Sequence, residues 1–339
     1  MIREAIEALV TQGRHLTEDE AAAAMADIMN GEATPAQIGA FLTALRLRGE
    51  TADEITGMAR VMRAKALKVP IEGPVIDTCG TGGDGSGSFN VSTAAAFVAA
   101  GAGVRVAKHG NRAMSSHSGS ADVLEALGAR IDLTPEQVAA CIREAGIGFM
   151  FAQTFHPAMK YAAGPRREIG IRTAFNILGP LTNPAGATAQ LLGVPLAPLA
   201  ELLAPVLSRL GVRRALVVSG DDGLDELSIS APTCVVEVRG EEVRRYRVAP
   251  QDLGLEPAPR AAVRGGSPAE NAEAMRRVFT GQEGPLRDFV LLNAAAALVV
   301  GGVAPDLAGG VQCAREVIDS GGALAALERF VEATRSFSG

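Results

Sequence analysis

Over the first 70 residues, apolar side chains recur at helical spacing. Ile2, Ile6, Leu9 and Val10 fall on one face, and Ile55, Met58, Ala59 and Met62 form a second stripe. N-terminal capping signatures punctuate this part: Thr17 with Glu20, Thr34 with Pro35 and Gln37, and Thr51 with Glu54. No strand-like run interrupts them, so residues 1–70 read as a small helical domain. The pattern changes at Pro70–Pro74. Short apolar runs then predict strands at Val75–Thr78, Val104–Ala107, Ile147–Phe151, Leu191–Val194, Ala215–Ser219 and Cys234–Val238. Helices are expected from about Ser92, over Ser120–Leu127, after the Thr134-Pro-Glu-Gln137 cap, and at Leu196–Leu210, Pro268–Phe279, Leu286–Val300, Gln312–Ser320 and Ala323–Thr334.

Strands alternating with helices imply an α/β domain over residues 71–339, with a mostly parallel sheet covered on both faces. Ligands of such sheets sit beyond the carboxyl ends of the strands. The segment Pro165–Pro184, rich in Gly, Pro, Arg and Asn, is expected to pack back on the N-terminal helices and complete the helical domain.

Composition narrows the function classes. A chain of 339 residues suggests two domains, and 47% hydrophobic with 21% charged residues is ordinary for a globular enzyme. A net charge of −6, aromatics at 4% and no Trp argue against a nucleic-acid binder. Cys79, Cys141, Cys234 and Cys313 match no metal-ligand spacing and read as reduced thiols of a cytoplasmic protein. The acid-bearing start MIREAIEALV is no signal peptide, and the longest apolar stretch, Phe289–Val303, is too short to span a bilayer and holds Asn293.

The chemistry concentrates in residues 77–120. Two small-residue loops, Gly80–Ser88 and Lys108–Ser120, each follow a predicted strand. Glycine-rich turns after strands expose backbone N–H groups that cradle anions. From Gly85 to Gly119 there is no Asp or Glu, but there are Arg105, Lys108 and Arg112. Gly80-Thr-Gly-Gly-Asp-Gly85 matches G-x-G-x-x-G, yet the first acid after Asp84 is Asp122, too far on for a ribose ligand. A Walker A loop fails because Ser88, not Lys, follows Gly87. The four glycines exceed what a tight turn needs, which points to a ligand. Asn90-Val-Ser-Thr93 opens a helix whose N–H groups and dipole suit an anion, and Ser92 is also a possible metal ligand. Lys108 is a candidate phosphate ligand, with Ser115, Ser116, Ser118 and Ser120 as hydroxyl donors. Asp221, Asp222, Asp225 and Glu226 follow another strand. They read either as a polar turn or as a Mg²⁺ site shared with substrate phosphates. His156, Arg166 and Arg167 carry little information alone.

Together these residues resemble the anthranilate phosphoribosyltransferase family over nearly the whole chain. The carriers are Asp77-Thr-Cys-Gly-Thr-Gly-Gly-Asp84, Phe89-Asn-Val-Ser-Thr93, Lys108-His-Gly-Asn-Arg112, the run Ser118–Gly128, the run Phe175–Pro184, and Gly223-Leu-Asp-Glu226. The resemblance implies a nucleoside phosphorylase/phosphoribosyltransferase-like fold, a hinge between domains and a homodimer formed through the helical domain. The implied reaction, in tryptophan biosynthesis, joins 5-phosphoribosyl 1-diphosphate to anthranilate. The sugar diphosphate would meet Gly80, Gly83, Asp84, Ser88, Asn90, Val91, Ser92 and Thr93, the run Lys108, His109, Gly110, Asn111, Arg112, Ala113, Met114, Ser115 and Ser116, and Ser120. Anthranilate would meet Gly80, Asn111, His156 and Arg166, and Mg²⁺ would meet Ser92, Asp225 and Glu226. In Ala163-Gly-Pro-Arg-Arg-Glu168, Gly-Pro replaces the single aliphatic residue of the family pattern. A proline there is expected to end or kink the helix at Gly164, leaving Arg166 or Arg167 to face anthranilate. Two rival readings are a pyrimidine nucleoside phosphorylase, which would lack the Asp225–Glu226 pair, and a non-catalytic nucleic-acid-binding relative, which the charge opposes.

Overall fold

The computed structural model describes residues 1–113 and 117–337. Four helices open the chain: α1 (Ile2–Val10), α2 (Glu18–Asn30), α3 (Pro35–Arg48) and α4 (Ala52–Lys65). Thr17, Thr34 and Thr51 each accept a hydrogen bond from the third helical N–H, and Glu20, Gln37 and Glu54 each accept one from the cap backbone. Glu54 is buried and also accepts from Leu16 N at 2.9 Å, which ties the start of α4 to the segment before α2.

The sheet has seven strands: β1 (Ile76–Gly80), β2 (Val106–Gly110), β3 (Ile147–Phe151), β4 (Ala189–Gly193), β5 (Arg214–Gly220), β6 (Thr233–Arg239) and β7 (Glu242–Val248). Their order is β3-β2-β1-β4-β5-β6-β7. β3, β2, β1, β4 and β5 run parallel, and β6 and β7 add an antiparallel end. β2 lies two residues later than its apolar run suggested, because Lys108, His109 and Gly110 extend it in register with Phe149, Met150 and Phe151. β7 (EVRRYRV) carries no apolar alternation to reveal it; its arginines and exposure suit a protected sheet edge.

The remaining helices are α5 (Val91–Gly101), α6 (Ser120–Ala126), α7 (Pro135–Ala145), α8 (Ala152–Phe155), α9 (Lys160–Ile169), α10 (Phe175–Leu178), α11 (Ala197–Arg209), α12 (Pro268–Phe279), α13 (Pro285–Val300), α14 (Leu307–Asp319) and α15 (Gly322–Ser336). Period-2 alternation sends neighbouring strand residues into two apolar cores. Leu191, Leu216, Val218 and Val235 join α5, α13 and α15 on one face. Leu192, Val217, Cys234 and Val236 face α11 and share a core with α1–α4 and with Ala162, Phe175 and Leu178. The expected helix end at Gly164 does not occur: α9 continues through Pro165 to Ile169. Pro165 sits beyond the first turn, so its missing N–H leaves one carbonyl of the preceding turn without an intrahelical donor while the helix carries on.

Gly57 marks the closest approach of α4 to α2, since a β-carbon there would collide with the carbonyl oxygen of Glu18. Alanine is the better helix former by about 1 kcal/mol, but overpacking against rigid backbone costs about 1–3 kcal/mol. Gly57→Ala is therefore expected to lower the unfolding free energy by up to about 2 kcal/mol, the overpacking cost less the propensity gain, measured by denaturant titration. A stabilised variant would show that the two helices do not pack this way.

Candidate active site

The strand order reverses between β1 and β4, the neighbours from which the sheet grows in opposite directions. Such a switch point leaves a crevice beyond the strand ends. Gly80 and Gly193 end the two strands opposite one another. A β-carbon on either would strike Asp225: its carboxylate from Gly80, its backbone carbonyl from Gly193. The loop after β5 thus folds across the centre of the sheet, onto the first glycine loop. There Gly82 N donates to Asp225 Oδ2 at 2.7 Å and Thr81 N donates to Gly193 O at 2.9 Å. Asn293 of α13 secures the same loop from below, accepting from Leu227 N and donating to Leu227 O, both at 3.0 Å.

The first loop needs glycine for two separate reasons. Gly82, Gly83, Gly85 and Gly87 have φ between +58° and +76°, whereas Gly80 makes room for Asp225. Asp84 Oδ1 accepts from Ser86 N at 3.0 Å, while its Oδ2 is buried without a hydrogen-bond partner among the described residues. The loop leads into α5, whose opening has no side-chain cap. The N–H end of that helix is thus left to an external anion. Val91 and Thr93 are buried there, and Thr93 Oγ1 has no hydrogen-bond partner among the described residues.

Lys108 connects the loops. It is 2% exposed, and its ammonium donates to Thr78 O and to Ser92 Oγ, the latter at 3.3 Å. Burial pushes its pKa down, opposed by Asp77, Cys79 and Glu226. Asp77 is fully buried and pushed up to about 6 by burial, against the pull of Lys108. It accepts from Asn183 Nδ2 at 2.8 Å and from His109 N at 3.1 Å, and so couples the Phe175–Pro184 run to β2. Burial first, and then Asp84, push Asp225 up to about 6. Glu226 is raised well above its usual range by burial and by Asp225, with the Lys108 charge opposing them. Among the described residues no three His, Cys, Asp or Glu side chains close around one point. Two buried carboxylates short of positive charge nonetheless suit a hard cation that takes its other oxygens from water and phosphate.

The second loop divides. Ser120 Oγ donates to Asn111 O at 3.3 Å, and a β-carbon on Gly110 would strike that hydroxyl. Gly119 admits the Asn111–Ala113 backbone, and Ala113 N donates to Asp122 Oδ2 at 2.9 Å. The Arg112 guanidinium is committed to Asp122 and Glu125 on α6. Arg105 stands at the opposite end of β2, donating to Glu72 O at 2.8 Å. Ser88 bridges to Arg264, and Met114, Ser115 and Ser116 lie outside the described residues.

His156 packs on His109 with ring centroids 5.0 Å apart. Both Nε2 atoms are buried and unpartnered. Arg166 lies over the Phe175 ring at 4.9 Å, its pKa lowered by burial, and among the described residues no carboxylate pairs with it, whereas Arg167 is exposed. Arg172 lies where a side chain on Gly83 would stand, and among the described residues no acid pairs with it. Gly193 and Arg172 carried no sequence signal of their own, and Asn183 stood out only as part of the Phe175–Pro184 run, because their roles arise from approach across strands and loops.

Burial lowers His109 to about 3 and His156 to about 4. The unfolded chain, with ordinary histidines near about 6.5, then binds more protons than the folded one. The pair contributes stability that is complete above about pH 6.5 and is lost as pH falls towards about 4. NMR titration should find both rings neutral at about pH 5.5, and His156→Gln should flatten the loss of stability between about pH 6.5 and 4. A ring that protonates near about pH 6.5 in the folded protein would refute the buried pair.

Residues 3–66 match the glycosyl transferase family helical bundle domain, and residues 72–324 match the glycosyl transferase family a/b domain. The chain is 64% identical to the anthranilate phosphoribosyltransferase of Chloroflexus aggregans over 98% of each chain. It is 57% identical to that of Acetivibrio thermocellus over 99% of this chain and 98% of the relative. The crystal structure of anthranilate phosphoribosyltransferase from Thermus thermophilus superposes with a TM-score of 0.92 at 48% identity, covering 98% of this chain and 99% of that one. The Saccharomyces cerevisiae enzyme in complex with PRPP and Mg superposes with a TM-score of 0.91 at 29% identity, covering 99% and 98%.

Proposed function

The chain belongs to the anthranilate phosphoribosyltransferase family, and we propose how its crevice carries out the family reaction. The enzyme transfers the 5-phosphoribosyl group from 5-phosphoribosyl 1-diphosphate to the amine of anthranilate, a step of tryptophan biosynthesis that releases diphosphate. One observation carries the assignment of roles: Lys108, Ser92, the first glycine loop and the Asp225–Glu226 loop meet at the β1/β4 switch point.

The glycine-loop N–H groups and the uncapped start of α5 receive the diphosphate, and Lys108 supplies fixed positive charge as the leaving group gains negative charge. Ser92, Asp225 and Glu226 would hold Mg²⁺, which when bound neutralises the leaving diphosphate. The yeast relative was solved with PRPP and Mg, which supports that cofactor here. Arg166 is assigned the anthranilate carboxylate. It is a half-buried cation with no acid partner, unlike exposed Arg167. Asn111 and His156 are assigned to the anthranilate side, with the His109 ring packed against His156. The buried histidines stay neutral and add no positive charge beside a ribosyl centre that becomes cationic. An arylamine attacks as the neutral base, so no strong proton acceptor is needed.

We further propose that residues 1–70, with the 165–184 segment, close over the crevice and exclude water that would hydrolyse the sugar diphosphate. The same helices are assigned the contact of a homodimer. Val10 and Leu47 are 64% and 82% exposed on them, and a groove of about 500 Å³ lies along α1 between Arg3 and Thr11. The four cysteines are unpaired, which supports a cytoplasmic setting, and among the described residues no helix is long and apolar enough to cross a membrane.

Anthranilate fluorescence should fall when the protein, Mg²⁺ and 5-phosphoribosyl 1-diphosphate are combined, and should hold steady after chelation. Asp225→Asn and Glu226→Gln are expected to lower kcat at least about tenfold and weaken the Mg²⁺ dependence. An unchanged Mg²⁺ titration would remove the metal assignment. Loss of a charge-assisted contact worth about 1.5–3 kcal/mol predicts that Arg166→Ala raises the KM for anthranilate about 10- to 100-fold. A rise confined to the phosphoribosyl substrate would reverse the map of the two substrates.

A further inference from the structure

Two side-chain amides, Asn271 and Asn90, join three segments that lie far apart in sequence. Residues 263–266 lie as a strap along the first glycine loop. Phe89 N donates to Val263 O at 3.0 Å, Gly265 N donates to Gly87 O at 2.8 Å, and Ser88 bridges Arg264. Gly265 permits this approach, since a β-carbon there would stand 2.7 Å from Ser88 O. The strap runs into α12, capped by Ser267, and Asn271 on that helix is only 3% exposed. Gly266 N donates to Asn271 Oδ1 at 2.8 Å, Asn271 Nδ2 donates to Asn90 Oδ1 at 2.8 Å, and Asn90 Nδ2 donates to Ser118 O at 3.0 Å.

The direction of this chain is fixed at both ends. A backbone N–H can only donate, so Asn271 must turn its oxygen to Gly266 and its amino group to Asn90. Asn90 must then answer with its oxygen, and its amino group is left facing a backbone carbonyl that can only accept. No other arrangement of the two amides satisfies every group. Polarity therefore passes from the strap, through α12 and the first loop, to the second loop.

Resting on the function proposed above, we infer that Asn271 is a positioning residue for the sugar diphosphate. It touches no ligand itself. It locks the Asn90 amide in one orientation and holds the two anion-binding loops at a fixed separation, so that the two ends of one ligand are received together.

A double-mutant cycle tests this, with calorimetric binding of 5-phosphoribosyl 1-diphosphate at saturating Mg²⁺ as the readout. Asn271→Ala and Asn90→Ala are each expected to weaken binding about tenfold, with the KM for anthranilate changed less than about twofold. The double variant is expected to bind no more than about twofold weaker than Asn90→Ala, because the two residues act in series. Fully additive losses, or a variant that melts earlier yet binds as the wild type does, would overturn the inference. If Asn271→Ala does not fold, Gly265→Ala, which crowds Ser88 O and Asn271 Nδ2, is read in the same cycle. A wild-type protein that binds no sugar diphosphate would instead refute the proposed function.

Discussion

The loop bearing Asp225 and Glu226 reaches the middle of the sheet only because Gly80 and Gly193 end β1 and β4 side by side. With any side chain at either position, the Asp225 backbone and carboxylate would have to lift away from the strand ends. Gly82 N would then lose its acceptor, and the Leu227 backbone held by Asn293 would be strained or released. Two missing β-carbons thus decide whether acids from the β5 end and N–H groups from the β1 end occupy one crevice.

That arrangement has an energetic consequence. Asp77, Asp225 and Glu226 are all pushed towards protonation by burial, while Lys108 is pushed towards neutrality. Such strain is characteristic of sites organised for a charged ligand rather than for stability. A cation at the acids and phosphate oxygens at Lys108 and the loop would each relieve it. Substrate binding therefore recovers stabilisation that the fold alone forgoes.

Much of this was legible in the sequence, and what was not has physical reasons. Thr17, Thr34 and Thr51 announce their helices because a capping box is local. The glycine loops and the Asp225–Glu226 pair stood out because their residue types are costly elsewhere. β7 was missed because, among its arginines, only Tyr246 and Val248 turn towards the core, too few to make an apolar alternation. Pro165 misled because a proline inside a packed helix need not end it. Arg112 and Arg105 looked like part of a basic window, but Arg112 is paired with acids of α6 and Arg105 stands at the far end of β2, donating to the Glu72 carbonyl. Gly193, Arg172 and Asn271 could not be found, since each acts on a partner tens of residues or more away. The run Phe175–Pro184 carried the resemblance without revealing that Asn183 holds Asp77.

The measurement closest to the central claim is calorimetric titration of 5-phosphoribosyl 1-diphosphate into Gly193→Ala, with and without Mg²⁺. The substitution touches no proposed ligand contact but displaces the Asp225 backbone. If the acids and the glycine loop form one site, the variant loses most of the Mg²⁺-dependent gain in affinity and keeps the weaker, metal-free binding. A Gly193→Ala protein that gains as much from Mg²⁺ as the wild type would contradict the account.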